Sequence, residues 1–182
     1  MPLSAYLILA AGTILWVAPF PLAMRRGGTP QRLDKRARWG VALEGVAYTL
    51  LWQGPFWRRS PAVWQLAASI VSFALACVLS WTGAAALGKH LRVDAVVGED
   101  HRLVQTGPYR FVRHPIYTSM LGVLLGTGVV LSPLWMLPIA VAIFLTGTEI
   151  RVRIEDGLLA ARFGERFLKY QRSVPAYLPF VR

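Results

Sequence analysis

The sequence predicts an all-α integral membrane protein with five transmembrane helices. The last two form a C-terminal hairpin that a cytoplasmic helix extends. Three observations predict this. The chain is 55% hydrophobic yet carries a formal charge of +11, a combination that suits apolar spans in lipid with basic residues at their edges. Long, nearly charge-free runs lie at roughly 3–24, 39–56, 62–88, 115–132 and 134–150, and about 20 apolar residues cross a bilayer core. The basic residues also segregate: with five spans, every Lys and Arg except Arg58 and Arg59 falls on one side. Basic residues collect on the cytoplasmic face. The predicted topology therefore has the N-terminus outside, the C-terminus in the cytoplasm and any site at the cytoplasmic helix ends. Orientation and anionic headgroups account for the basic charge, so no nucleic-acid partner is expected; membrane lipids are.

Taken in order, the first span ends at Pro19 and Pro21, which bend its last turns. Its positive charges come after the apolar run, so it reads as a span and not as a cleaved signal. The loop 25–38 combines Arg-Arg-Gly-Gly-Thr-Pro with a short basic stretch at the membrane surface. The second span carries Glu44, about five residues or 8 Å deep at 1.5 Å per residue. An acid at that depth faces protein or a wet cavity, either paired with a loop arginine or set in the wall of a site. The third span holds Ala67, Ala68, Ser69, Ala74 and Ala76, small enough for close packing. Cys77, alone, forms no internal disulfide. The fourth span has Gly122 and Gly126 at GxxxG spacing, plus Gly128, expected to pack against the fifth. Ser132-Pro133 joins those two. Residues 1–182 then form one membrane-embedded domain, with spans one to three in 1–100 and the chemistry-bearing region in 101–182.

The polar stretch His101–Tyr117 runs directly into the fourth span through His114-Pro115. Proline suits the first helical position, and the residue before it is pushed out of the α region. His114 therefore belongs in a turn, and the helix beyond it presents backbone N–H groups and a positive dipole end to an anion. After the fifth span the helix is expected to continue unbroken through EIRVRIEDGLLAARFGERF, with Arg151/Glu155 and Glu149/Arg153 at i, i+4. The hairpin would bring Arg151 and Glu155 against the His114–Tyr117 turn. A helix N-terminus, a carboxylate and an arginine suit a mixed-charge ligand such as S-adenosylmethionine, its carboxylate on the helix end and its ammonium on Glu155; a nucleotide phosphate suits the same helix end. His90, His101 and His114 are spaced too widely to suggest a metal site, and no Ser or Cys is arranged as a nucleophile beside a base.

The pattern H-x-L-V-x-x-G-x-Y-x-x-x-R-H-P-x-Y, from His101 to Tyr117, resembles the signature of the isoprenylcysteine carboxyl methyltransferase family. Phospholipid methyltransferases and several bacterial membrane methyltransferases are similar. A second element, R-x-x-x-E-[ED]-x-x-L-x-x-x-F-G, matches through Arg151, Glu155, Asp156, Leu159, Phe163 and Gly164. The resemblance covers about the last 80 residues. It implies cofactor contacts at His101, Arg102, Leu103, Val104, Tyr109, His114, Pro115, Ile116, Tyr117 and Glu155, and a substrate arginine at Arg151. Arg151, Glu155 and His114 are the implied catalytic set. Asp156 replaces the family's second glutamate, which puts a direct role for it in doubt; Ser119 replaces a common glycine, and Phe167 a tail tyrosine.

The resemblance further implies S-adenosylmethionine-dependent methyl transfer to a lipophilic acceptor, most like the carboxyl group of an isoprenylcysteine. A phospholipid amine or a small thiol or acid is the alternative acceptor. An ionised carboxylate needs only a cation such as Arg151 to orient it, whereas an amine or thiol must lose a proton, to His114 or Glu155. Two readings of other classes are an NADPH-dependent membrane reductase and a non-catalytic membrane binding module.

Overall fold

The computed structural model describes residues 1–24, 36–53, 60–88 and 103–177. Among them, all regular structure is helical: α1 (Leu3–Val17), α2 (Pro19–Met24), α3 (Ala37–Leu51), α4 (Val63–Leu87), a 3₁₀ turn (Gly107–Arg110), α5 (Pro115–Leu131), α6 (Met136–Phe163) and α7 (Glu165–Ser173). The loop 25–35, and with it the surface stretch expected there, lies outside the described residues, as do His90 and His101. Two stretches, Leu3–Pro21 and Val63–Leu87, are long and apolar enough to cross a membrane; α5 is apolar too but shorter. Along α4, Val63, Val71, Leu75 and Val78 all point outward, Val63 at 81% exposure. A continuous apolar exterior of this kind is what a helix presents to lipid.

Helix α5 is the hub. On one side Val123 and Val130 pack with Leu9 of α1 and with Phe73 and Ala76 of α4. On the other, Leu121 and Leu124 pack with Ala47 and Leu51 of α3 and with Ala140 and Phe144 of α6. Polar groups inside these layers are satisfied by neighbouring helices, as a waterless interior requires. The Ser69 hydroxyl donates to the Gly126 carbonyl at 2.8 Å, and the Gln65 amide donates to that of Val129 at 2.7 Å. Trp16 donates its indole N–H to the Ser119 hydroxyl at 3.0 Å, and Tyr48 its hydroxyl to the Met120 carbonyl at 2.7 Å. The Gly-to-Ser departure at position 119 thus ties α1 to α5.

Two expectations about packing are corrected. Gly122 and Gly126 receive α4 and not the fifth predicted span: a Cβ at Gly122 would stand 3.1 Å from Ala76 Cβ, and one at Gly126 3.0 Å from the Phe73 ring. The third predicted span carries the small and flat residues that fit this groove. Of the three glycines it is Gly128 that faces α6, through Leu137, and it meets Leu51 of α3 as well. The C-terminal helix is also not continuous through position 167. It ends at Gly164, whose φ of 54° most side chains avoid, and α7 begins at Glu165.

Helices α3 and α6 cross backbone to backbone. A Cβ at Gly40 would stand 2.5 Å from the Gly147 carbonyl oxygen, and one at Gly147 2.6 Å from that of Gly40. Backbone cannot yield as a side-chain tip does, so Gly40→Ala must push the helices apart. The expected cost is about 1–3 kcal/mol of stability, read as a lower thermal unfolding midpoint in detergent; an unchanged midpoint would contradict this crossing.

Candidate functional site

The His-Pro pair begins α5 as its chemistry requires. His114 sits at φ −126°, ψ 64°, outside the helix, and Pro115 occupies the first helical position. The carbonyl of His114 accepts the Thr118 N–H at 3.2 Å. The two amides ahead of the helix are held by the tail beyond α7: Arg113 N–H donates to the Pro175 carbonyl at 2.9 Å and His114 N–H to that of Ala176 at 2.8 Å. The Thr118 hydroxyl adds a bond to the Tyr177 carbonyl at 2.6 Å. This strap fixes the His114 ring over the start of α5, stacked on Tyr117 with centroids 5.6 Å apart.

The C-terminal half of α6 lies against this turn. It brings Arg151, Glu155 and Asp156 against His114 and Tyr117. Three acids and three bases then alternate through the interior. Glu44 bonds Arg151 at 2.7 Å, and the Arg151 guanidinium lies over the Tyr117 ring, 4.7 Å from its centroid. Tyr117 donates its hydroxyl to Glu155. His114 faces Glu155 through Nδ1 at 3.4 Å and Asp156 through Nε2 at 3.0 Å. Asp156 in turn accepts from Arg113 at 2.8 Å and from the Gln171 amide at 3.1 Å. The formal charges along this series cancel, the condition under which buried ions are tolerated. Glu155, in the middle of the series, is its most open member: its side chain is 22% exposed, against 9% or less for His114, Asp156 and Arg151.

The environment sets the charge on His114. Burial alone would lower its pKa, but the hydrogen bonds to Asp156 and Glu155, and then their charges, outweigh that and raise it to about 9. Burial likewise opposes ionisation of Asp156, yet its bonds and charges with His114 and Arg113 hold its carboxyl below the usual range. His114 is therefore an imidazolium at neutral pH. A folded-state pKa above the unfolded value of roughly 6.5 gives stability that is fully present below that pH and lost as pH rises through about 9. The unfolding midpoint should fall between pH 6.5 and 9, and His114→Gln should flatten that fall.

Of the residues predicted from sequence, His114, Tyr117, Arg151 and Glu155 converge. Pro115 and Ile116 seat the start of α5 against Gly83 of α4, at 3.6 and 3.7 Å from a Cβ placed there. Tyr109 is buried on the 3₁₀ turn, where its carbonyl accepts the Tyr170 hydroxyl. Leu103 and Val104 are half-buried on the approach to that turn, and His101 and Arg102 lie outside the described residues. Three contributors escape the sequence reading or stay open in it. Asp156, doubtful there for its shorter side chain, is the acceptor that ties His114 to Arg113. Arg113 enters there as a position of the first motif but is given no role. Glu44, left open there between a loop arginine and the wall of a site, pairs with Arg151.

The fold and the site together define a helical membrane protein with two stretches long and apolar enough to span a bilayer and a buried, charge-balanced cluster at the start of α5. Residues 64–166 match the phospholipid methyltransferase family, and the chain belongs to that family. The protein-S-isoprenylcysteine O-methyltransferase B of Arabidopsis thaliana is 36% identical over 84 residues, 46% of this chain and 42% of the relative. The cobalt-zinc-cadmium resistance protein CzcN of Cupriavidus metallidurans is 35% identical over 81 residues, 44% of this chain and 37% of the relative. The protein-S-isoprenylcysteine O-methyltransferase of Schizosaccharomyces pombe is 25% identical over 161 residues, 80% and 68% of the two chains. The matched stretch thus spans less than half of the first two relatives.

Proposed function

We propose that the chain is an S-adenosylmethionine-dependent methyltransferase acting at the cytoplasmic membrane face on a lipophilic acceptor, most like the carboxyl group of an isoprenylcysteine. One observation carries the proposal: Tyr117, from the first motif, touches both Arg151 and Glu155, from the second. A site built from two family motifs that meet only in three dimensions is hard to explain as packing alone.

The residues suit such a cofactor. Glu155, the most exposed carboxylate of the cluster, would hold its ammonium, and the start of α5 its carboxylate. When bound, S-adenosylmethionine supplies an activated methyl group on its sulfonium. Arg151 would orient an ionised acceptor, and that orientation is the main requirement of an in-line displacement. His114 is an imidazolium with each ring nitrogen on a carboxylate. It therefore positions Glu155 and Asp156 at neutral pH and accepts no proton there. An amine or thiol acceptor would leave Glu155 as the base, whereas a carboxylate needs none, and the geometry favours the carboxylate.

The finer topology belongs to the same proposal: five spans in one domain, the N-terminus outside, α5 and α6 as the last hairpin, the site and C-terminus cytoplasmic. A reporter fused after residue 182 should be cytoplasmic, and one exported across the membrane would contradict the orientation. The acceptor class is tested by incubating the protein with methyl-labelled S-adenosylmethionine and membranes. Base-labile label in prenylated protein or prenylcysteine supports the proposal. Label in phospholipid or in a volatile thioether moves the acceptor to the alternatives, and no transfer at all contradicts it.

A further inference from the structure

We propose that Glu44 is the positioning residue for Arg151, and so a part of the acceptor site contributed by a helix outside the family-matched residues 64–166; the acceptor role rests on the function proposed above. Glu44 stands on α3 with a side chain 4% exposed. Its Oε2 holds Arg151 Nη1 at 2.7 Å, and its Oε1 accepts the Thr148 hydroxyl at 3.1 Å. The Tyr117 ring covers the face of the same guanidinium. The arginine is thus restrained along one edge by a carboxylate and across one face by an aromatic ring, and a planar group restrained in both ways has one orientation.

Simple helix packing does not require this pair. Apolar residues of similar volume hold two helices together without the desolvation that a buried ion pair incurs, and an ionised acid within an apolar helix is costly unless a partner answers it. The close crossing at Gly40 and Gly147 is built so that the pair can form: α3 and α6 approach until Gly40 lies against the stem of Arg151, one helical turn before Glu44. The arginine is the group that needs a fixed location, and Glu44 supplies it.

The test uses the full chain in detergent, labelled with ¹⁵N-arginine, with the Arg151 side-chain signal assigned by its loss in Arg151→Lys. Glu44→Gln keeps the volume and a hydrogen bond but removes the charge. The Arg151 Nε–Hε signal should move toward that of solvent-exposed arginines and exchange faster. With N-acetyl-S-farnesylcysteine as acceptor, kcat/KM should fall by about tenfold, while S-adenosylmethionine affinity changes less than about twofold; Glu44→Asp should recover part of the loss. An unmoved Arg151 signal, or equal losses in kcat/KM, cofactor affinity and unfolding midpoint, would overturn the proposal by marking Glu44 as structural. Should the wild type turn over no acceptor, the methyltransferase reading fails, and the arginine signal alone decides whether Glu44 holds Arg151.

Discussion

Asp156→Ala should destabilise the folded chain by about 3–5 kcal/mol, the cost of removing one partner from a buried ion pair. The loss is large because Asp156 answers two cations at once, Arg113 at 2.8 Å and His114 at 3.0 Å. It also accepts from Gln171 of α7. Without it the imidazolium keeps only Glu155, and Arg113 keeps only carbonyls, those of Gln171 and Val174. Asp156→Asn, which preserves shape and one acceptor oxygen, should lose less. Arg172→Ala is the contrast: its bridge to Glu165 is long, 3.7 Å, and both side chains are mostly exposed. Exposed pairs contribute little, so its unfolding midpoint should stay near that of the wild type. A midpoint for Asp156→Ala equally close to the wild type would mean that the cluster is not the keystone of this end of the bundle.

Arg151→Lys is expected to lower turnover by about 100-fold or more while leaving S-adenosylmethionine affinity within a few-fold of the wild type. Lysine keeps a positive charge beside Glu44, so the buried acid is not orphaned. It lacks the planar fork that both the carboxylate contact and the Tyr117 stack require. Arg151→Ala should stop turnover altogether, at a further cost in stability. Glu155→Ala has the opposite signature, with cofactor affinity lost first, because Glu155 is the most exposed member of the series of charges. Kinetics and calorimetry on the three variants separate the roles; equal loss of cofactor affinity in the Arg151 and Glu155 variants would contradict the division.

Features with local causes are legible in the sequence, and features with distant causes are not. The start of α5 is legible because Pro115 limits both its own backbone and that of His114, and the i, i+4 spacing of Arg151 and Glu155 is a property of one helix. The meeting of the two motifs is legible because the connection from α5 to α6, Ser132–Trp135, is short and keeps the two helices neighbours. The partner of Gly122 and Gly126 is not. A small-residue groove says that something packs closely, and the flat side of Phe73, far away in sequence, decides what. The break at Gly164 is hidden in a run of good helix formers, where only a positive φ distinguishes a C-cap glycine from an interior one. Glu44 shows its depth but not its partner, since 107 residues separate it from Arg151. The weight of Asp156 is hidden for a similar reason: its side chain is short, and the ring and guanidinium that come to meet it lie on another helix end.

The most direct measurement is calorimetric titration of the detergent-purified chain with S-adenosylmethionine and, separately, with NADPH, repeated on Glu155→Ala. Saturable binding of S-adenosylmethionine to the wild type, its loss in Glu155→Ala and no binding of NADPH are the predicted results. Binding of NADPH alone, or S-adenosylmethionine binding that survives Glu155→Ala unchanged, would contradict the assignment of this cluster as the cofactor site.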